Sequence, residues 1–123
     1  MSVPTPAEII ERHGRRKPEQ LAALLGFPVT RQQAAPSLPG VRVLSAYEPS
    51  GVIVLYMDAL RALAAVRKEP LLRLEQWHVA HELYHALAGA GGVSGSRVRE
   101  TEADLWADEL MILTTREGGR GSA

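Results

Sequence analysis

The fold of this chain depends most on residues 71–88, which read Leu-Leu-Arg-Leu-Glu-Gln-Trp-His-Val-Ala-His-Glu-Leu-Tyr-His-Ala-Leu-Ala. At about 100° per residue, the apolar side chains of this stretch form one stripe along a helix. The stripe consists of Leu72, Val79, Leu83, Ala86 and Leu87. His81 and His85 fall almost opposite it. The pattern therefore predicts a long helix with one face in the core and a separate face that carries two histidines.

The flanking sequence predicts where this helix begins and ends. Pro70 stops a preceding helix, expected over 58–66, and can begin the next one. Residues 89–95 contain four glycines, which predicts a mobile loop. A second long helix is expected over 97–115. A helix–loop–helix layout of this kind would bring that helix back antiparallel to the first.

The first half of the chain predicts shorter elements. Prolines near helix starts and glycines near helix ends predict two helices, over 5–11 and 18–25. A proline-rich loop follows, with at most one short strand near Val29. Two apolar, β-branched runs, 41–47 and 51–56, flank a turn signal and predict a β-hairpin. The chain is therefore expected to have an α+β fold, with helices packed on a short sheet.

Length and composition indicate one globular domain. The chain has 123 residues, of which 46% are apolar and 23% charged, as is usual for a folded domain of this length. We expect residues 1–117 to form a single domain and 118–123 to be a flexible tail. The sequence shows neither a signal-peptide pattern at its start nor a stretch apolar enough to span a bilayer. A cytoplasmic protein is expected, without a membrane partner.

Charge and cysteine content disfavour several kinds of site. Fourteen basic and fourteen acidic residues give a formal charge of zero, which argues against direct nucleic-acid binding. Residues 19–33 invite a helix-turn-helix interpretation, but their surrounding prolines leave too little room for a recognition helix. The absence of cysteine excludes disulfides and thiolate metal sites. Any metal must be held by His, Asp or Glu.

Residues 81–85 read His-Glu-Leu-Tyr-His, an H-E-x-x-H motif inside the strongest helix of the chain. Residues four apart lie on one helix face, so the imidazoles of His81 and His85 can bind one metal ion. Glu82 projects to the flank of the pair, where it can accept a proton from a water molecule without being a ligand. The motif predicts a zinc site with Glu82 as general base.

A catalytic zinc site needs a third protein ligand. The acidic stretch 100–104 on the following helix offers both Glu100 and Glu102 for this role. Asp104 and Asp108 are candidates to orient a ligand histidine by accepting its second N–H. Two histidines and a carboxylate also suit manganese or iron, so the donor types alone do not identify the metal.

Four further side chains lie near the motif, and more than one role can be considered for each. His78 lies on the ligand side of the helix, where it can orient a ligand, touch substrate or simply be a surface histidine. Tyr84 can donate a hydrogen bond to a developing oxyanion, or it can be a packed tyrosine. Trp77 and Trp106 are expected to be core anchors rather than substrate platforms.

Taken in order, these segments resemble the ImmA/IrrE family of zinc metallopeptidases. The resemblance covers residues 5–113 and rests on 9–14, 18–26, 80–85, 102–107 and 110–111. It implies a small zincin-like fold, zinc ligands His81, His85 and Glu102, and Glu82 as catalytic base. It also implies a helix-turn-helix transcription repressor as substrate. The chain departs from the family pattern at Tyr84, where glycine is usual, and at Asp104, where asparagine is usual.

The function expected from the sequence is that of a zinc-dependent metalloendopeptidase acting on a protein such as a repressor. Its substrate would lie extended along an edge strand, for which residues 52–56 are the candidate. The alternative is a non-enzymatic interaction module stabilised by zinc, which binds a repressor without cutting it. A DNA-binding module is a third interpretation, which the neutral charge disfavours.

Overall fold

The structure, a computed structural model, describes residues 3–37, 39–40, 42–89 and 97–121, with side chains in the last range described for 100–115. Within these ranges, five helices and one three-stranded sheet make up a mixed α+β fold, as expected from the sequence. The elements in chain order are α1 (Pro6–His13), α2 (Pro18–Leu24), β1 (Val29–Gln32), β2 (Ser45–Tyr47), β3 (Ile53–Tyr56), α3 (Met57–Arg67), α4 (Leu71–Ala88) and α5 (Arg97–Gly121).

Local signals explain most of the helix boundaries. Thr5 caps α1 through a capping box, in which its side chain accepts from the Glu8 backbone N–H and the Glu8 carboxylate accepts from the Thr5 N–H. α4 begins after Pro70 and ends at Gly89, whose φ of 71° lies in the left-handed region that favours glycine. The helix that carries the H-E-x-x-H motif therefore has the predicted start and end.

The three strands are arranged in the order β1-β3-β2. β2 pairs antiparallel with β3 and forms the predicted hairpin, with Ala46 opposite Val54. β1 pairs parallel with β3, with Thr30 also opposite Val54. The expectation that residues 52–56 form an edge strand is wrong, because β3 lies between two partners and all four of its residues are buried. The edge strands of the sheet are β1 and β2.

The core lies between the sheet and the helices, with α4 running through its centre. Ten of the eighteen residues of α4 are buried, and they lie on more than one face of the helix. The predicted stripe is therefore wrong at Leu72, which is 52% exposed, and it leaves out His85, which is only 9% exposed. α4 packs against the sheet, α2, α3 and α5, so its histidine face is covered as well. Core side chains that are fully buried include Leu21, Ile53, Leu55, Leu60, Val79, Leu83 and Leu110.

Arg31 of β1 connects the sheet to two helices. Its guanidinium donates to both carboxylate oxygens of Glu19 in α2, at 2.7 and 2.9 Å. Its Nε donates to the buried carboxylate of Glu75 in α4, at 2.7 Å. Paired, multiply hydrogen-bonded charges of this kind satisfy a buried carboxylate that would otherwise be destabilising. The contact holds the first part of α4 against β1 and α2.

The second long helix starts at the predicted residue and continues further than predicted. α5 begins at Arg97 and extends to Gly121, into the segment 118–123 that was expected to be a tail. Residues 90–95 of the expected glycine-rich loop lie outside the described residues. Over the part of the chain that the structure describes, no helix is both long and apolar enough to cross a membrane.

Candidate metal centre

The two histidines of the motif face a carboxylate of α5. Nε2 of His81 lies 3.1 Å from Oε1 of Glu100, and Nε2 of His85 lies 3.1 Å from Oε2 of the same residue. Among the described residues, His81, His85 and Glu100 form a group whose ligand atoms all lie within 4.8 Å of one another. Two imidazoles and one carboxylate are the type and number of protein ligands found in catalytic zinc sites.

Glu102, the expected third ligand, lies elsewhere. The Tyr84 hydroxyl donates to Oε1 of Glu102 at 3.0 Å. Positions 100 and 102 are separated by about 200° around a helix, so both cannot face the same imidazoles. The geometry differs from the family-based expectation and favours Glu100, the alternative that the residue pattern left open.

A ladder of contacts along α4 and α5 explains why Glu100 is the residue that faces the histidines. Glu100 contacts His85 and His81, Asp104 one turn later contacts His81, and Asp108 after another turn contacts Trp77. Each step of four residues towards the C-terminus of α5 matches a step of four residues towards the N-terminus of α4. This is the antiparallel helix pairing that the sequence predicted.

Asp104, a candidate to orient a histidine of the motif, lies beside His81. Its Oδ1 lies 2.9 Å from Nδ1 of His81, the ring nitrogen that faces away from Glu100. That buried nitrogen makes no hydrogen bond of good geometry in this structure. A carboxylate on the second nitrogen sets the tautomer and orientation of a ligand histidine.

Asp108 does not contact a ligand histidine in this structure. Its Oδ1 accepts a hydrogen bond from Nε1 of Trp77 at 2.7 Å. The Trp77 ring in turn stacks on His81, with ring centroids 5.4 Å apart and an interplanar angle of 28°. Trp77 therefore does more than pack in the core, since one face of its ring stacks on the imidazole of His81. Trp106, by contrast, is buried in the core, and its Nε1 donates to the Pro4 carbonyl.

The Glu82 carboxylate lies between α4 and β2, where it contacts Ser45. It is 7% exposed, and its Oε2 accepts a hydrogen bond from the Ser45 hydroxyl at 2.7 Å. Burial raises the pKa of this carboxyl, and the hydrogen bond from Ser45 and the charge of His81 partly oppose the rise. A carboxylate with a raised pKa is suited to accept and then return a proton.

His78 is buried behind the same serine rather than lying on the surface. It is 9% exposed, and its Nδ1 lies 3.2 Å from the Ser45 hydroxyl oxygen. Burial, together with the charges of His81 and Arg67, lowers the pKa of His78 to about 4. The imidazole is therefore neutral near pH 7.

The charges around the histidines fit a divalent cation. When both imidazoles are neutral, the carboxylates of Glu82, Glu100 and Asp104 leave the cluster with net negative charge. The negative charge of Glu100 itself contributes to the raised pKa of Glu82. A divalent cation held by His81, His85 and Glu100 would offset this repulsion, so the donor set and the charge balance both fit such an ion.

Sequence reasoning missed two residues of this site. Ser45 gives no local signal, because its link to Glu82 spans 37 residues and exists only once the hairpin packs on α4. Trp77 does have a signal, since it lies four residues before His81 and therefore on the same helix face.

No protein-family model, curated protein or solved structure matches this chain. The resemblance to the ImmA/IrrE family therefore stays a prediction that rests on the residues quoted for it. Any assignment of function depends on the geometry of His81, Glu82, His85 and Glu100.

Proposed function

We propose that this chain is a zinc-dependent metalloendopeptidase in which His81, His85 and Glu100 hold the metal and Glu82 is the general base. One observation carries the proposal: two imidazole Nε2 atoms and one carboxylate converge, with a buried carboxylate next to them on the same helix. The arrangement matches what a metallohydrolase needs, namely a metal with few protein ligands and a separate base. A zincin-like fold of the ImmA/IrrE type is part of the proposal.

Side chains around the metal have separate roles in the proposed peptide hydrolysis. Zinc, when bound, polarises a carbonyl and lowers the pKa of a water molecule. Glu82 accepts a proton from the attacking water and returns it to the leaving amine. Its burial favours both steps, since a carboxyl with a raised pKa holds the proton long enough to deliver it. Asp104 and Trp77 keep the His81 ring in one orientation.

The substrate is proposed to be an extended protein segment beside β2. This edge strand begins at Ser45, whose hydroxyl contacts Glu82 directly, so a chain paired with β2 would pass the base. β2 thus replaces residues 52–56 as the candidate edge strand for substrate pairing. The resemblance adds a helix-turn-helix repressor as the proposed substrate protein.

Glu82→Gln tests the enzymatic proposal against partner binding without cleavage. We expect wild-type protein loaded with zinc to cleave a dye-labelled unstructured protein, and Glu82→Gln to be at least about a hundredfold slower because the base is lost. Zinc content should be unchanged, because Glu82 contacts Ser45 rather than the ligand atoms. Cleavage is followed by fluorescence and zinc by elemental analysis.

Glu11→Gln, on the exposed side of α1, is the matched control and should cleave like wild type. Equal cleavage by wild type and Glu82→Gln would contradict the mechanism. A wild-type protein that binds zinc but cleaves nothing would favour the interaction-module alternative.

A further inference from the structure

Ser45 bridges two buried side chains of α4 that lie one helical turn apart. Its hydroxyl oxygen is 2.7 Å from Oε2 of Glu82 and 3.2 Å from Nδ1 of His78. Glu82 and His78 are 7% and 9% exposed, so all three groups lie where water competes little for their hydrogen bonds. The proposed peptidase mechanism assigns no role to Ser45 or His78.

The chemistry of the three groups determines the direction of both hydrogen bonds. The Ser45 hydroxyl donates its single proton to Oε2 of Glu82. The serine oxygen then has only lone pairs to offer His78. A hydrogen bond between them therefore requires that Nδ1 of His78 carries the proton. The buried, neutral imidazole can supply it.

We propose that Ser45 and His78 are positioning residues that hold the Glu82 carboxylate in one orientation through the chain His78 Nδ1–H to Ser45 Oγ–H to Glu82 Oε2. A glutamate side chain loses considerable rotamer freedom when it is fixed, and a general base works only within a narrow range of orientations. The catalytic consequence of this arrangement rests on the proposed peptidase function. The arrangement itself does not.

The first test reads the His78 tautomer and needs no activity. Nitrogen-15 NMR of the 13.4 kDa chain at about pH 8 distinguishes a proton on Nδ1 from one on Nε2. We expect the Nδ1–H tautomer in wild type and in Ser45→Thr, which keeps the hydroxyl. Ser45→Ala should lose this fixed tautomer. A wild-type Nε2–H tautomer, or a spectrum of His78 that Ser45→Ala leaves unchanged, would overturn the proposal.

The second test measures peptide cleavage and zinc content of the zinc-loaded variants. Ser45→Ala should lower kcat about tenfold, with KM and zinc content close to wild type, because the base is present but less well oriented. Ser45→Thr should restore most of kcat. Ser50→Ala, an exposed serine in the hairpin turn, is the matched control and should behave like wild type.

The outcomes separate this proposal from the proposed function. A wild type without cleavage contradicts the peptidase, and the tautomer measurement then decides the orientation of Glu82 by itself. An active wild type whose kcat is the same in Ser45→Ala overturns the positioning role. A Ser45→Ala protein that loses zinc along with kcat also overturns it, because the serine would then act on the whole site.

Discussion

At the residue scale, three carboxylates close to the histidines differ in their surroundings, and the surroundings separate their roles. Burial raises the pKa of Glu82, although the hydrogen bond that it accepts from Ser45 opposes the rise, and a raised pKa suits a base. Glu100 is about half exposed and faces both imidazoles, which suits a ligand. Asp104 contacts the far nitrogen of His81, which suits an orienting group. Residue type alone would not distinguish them.

His78 should make the stability of the protein depend on pH. Its pKa is about 4 in the folded chain and about 6.5 when unfolded, so the unfolded state binds more protons between these values. The contribution of the neutral, buried His78 to the free energy of unfolding is therefore fully present above about pH 6.5 and is lost as the pH falls towards 4. Between about pH 7 and 5 we expect roughly 2 kcal/mol of the free energy of unfolding to be lost through this group.

His78→Asn provides the comparison, because asparagine keeps an N–H donor near the position of Nδ1 and does not titrate. Denaturant unfolding of both proteins at a series of pH values, in excess chelator so that metal release does not contribute, measures the effect. The free energy of unfolding should fall less steeply for His78→Asn. Parallel curves for the two proteins would show that His78 is not held neutral by burial.

At the element scale, the register between α4 and α5 decides which acidic residues join the site. Glu100, Asp104 and Asp108 are spaced by four and share one face of α5, so all three meet α4. Glu102 lies on another face and meets Tyr84 instead. The antiparallel pairing was predictable from the short connection. Which face of α5 turns inward was not, because both Glu100 and Glu102 fit the acidic pattern.

Asp104→Asn tests this register. Since Asp104 contacts His81 and Asp108 contacts Trp77, only the first substitution should affect a ligand directly. We expect Asp104→Asn to weaken zinc binding about 10- to 100-fold, the usual cost of losing such a partner. Asp108→Asn, the matched control on the same face, should bind zinc nearly as well as wild type. Competition with a chromophoric chelator measures both zinc affinities. A larger loss of zinc affinity in Asp108→Asn than in Asp104→Asn would contradict the ladder of contacts between α4 and α5.

The order of the strands had a signal that periodicity analysis overlooked. Residues 53–56 are continuously apolar, which is typical of a strand covered on both faces and paired on both sides, and less typical of an edge. β2 is shorter and begins with a serine. The turn signal between the two strands predicted the hairpin. The difference in their composition could also have indicated which of the two is the central strand.

At the scale of the whole molecule, local chemistry predicted the helices, the hairpin and the half of the site that lies on α4. Prolines and glycines mark the start of α2 and the ends of α1 and α4, and the spacing of His81 and His85 follows from helix geometry. The other half of the site comes from α5 and β2. Glu100 and Ser45 reach it through tertiary packing over 15 to 37 residues of sequence, which periodicity does not encode.

The central claim is that His81, His85 and Glu100 form one zinc site, and zinc content of purified, reconstituted protein tests it most directly. The measurement compares wild type, Glu100→Gln and Glu102→Gln by elemental analysis. We predict about one zinc per chain in wild type and in Glu102→Gln, and a large loss in Glu100→Gln, because only Glu100 faces both imidazoles. Loss of zinc in Glu102→Gln with retention in Glu100→Gln would contradict the site, as would a wild type that binds no zinc.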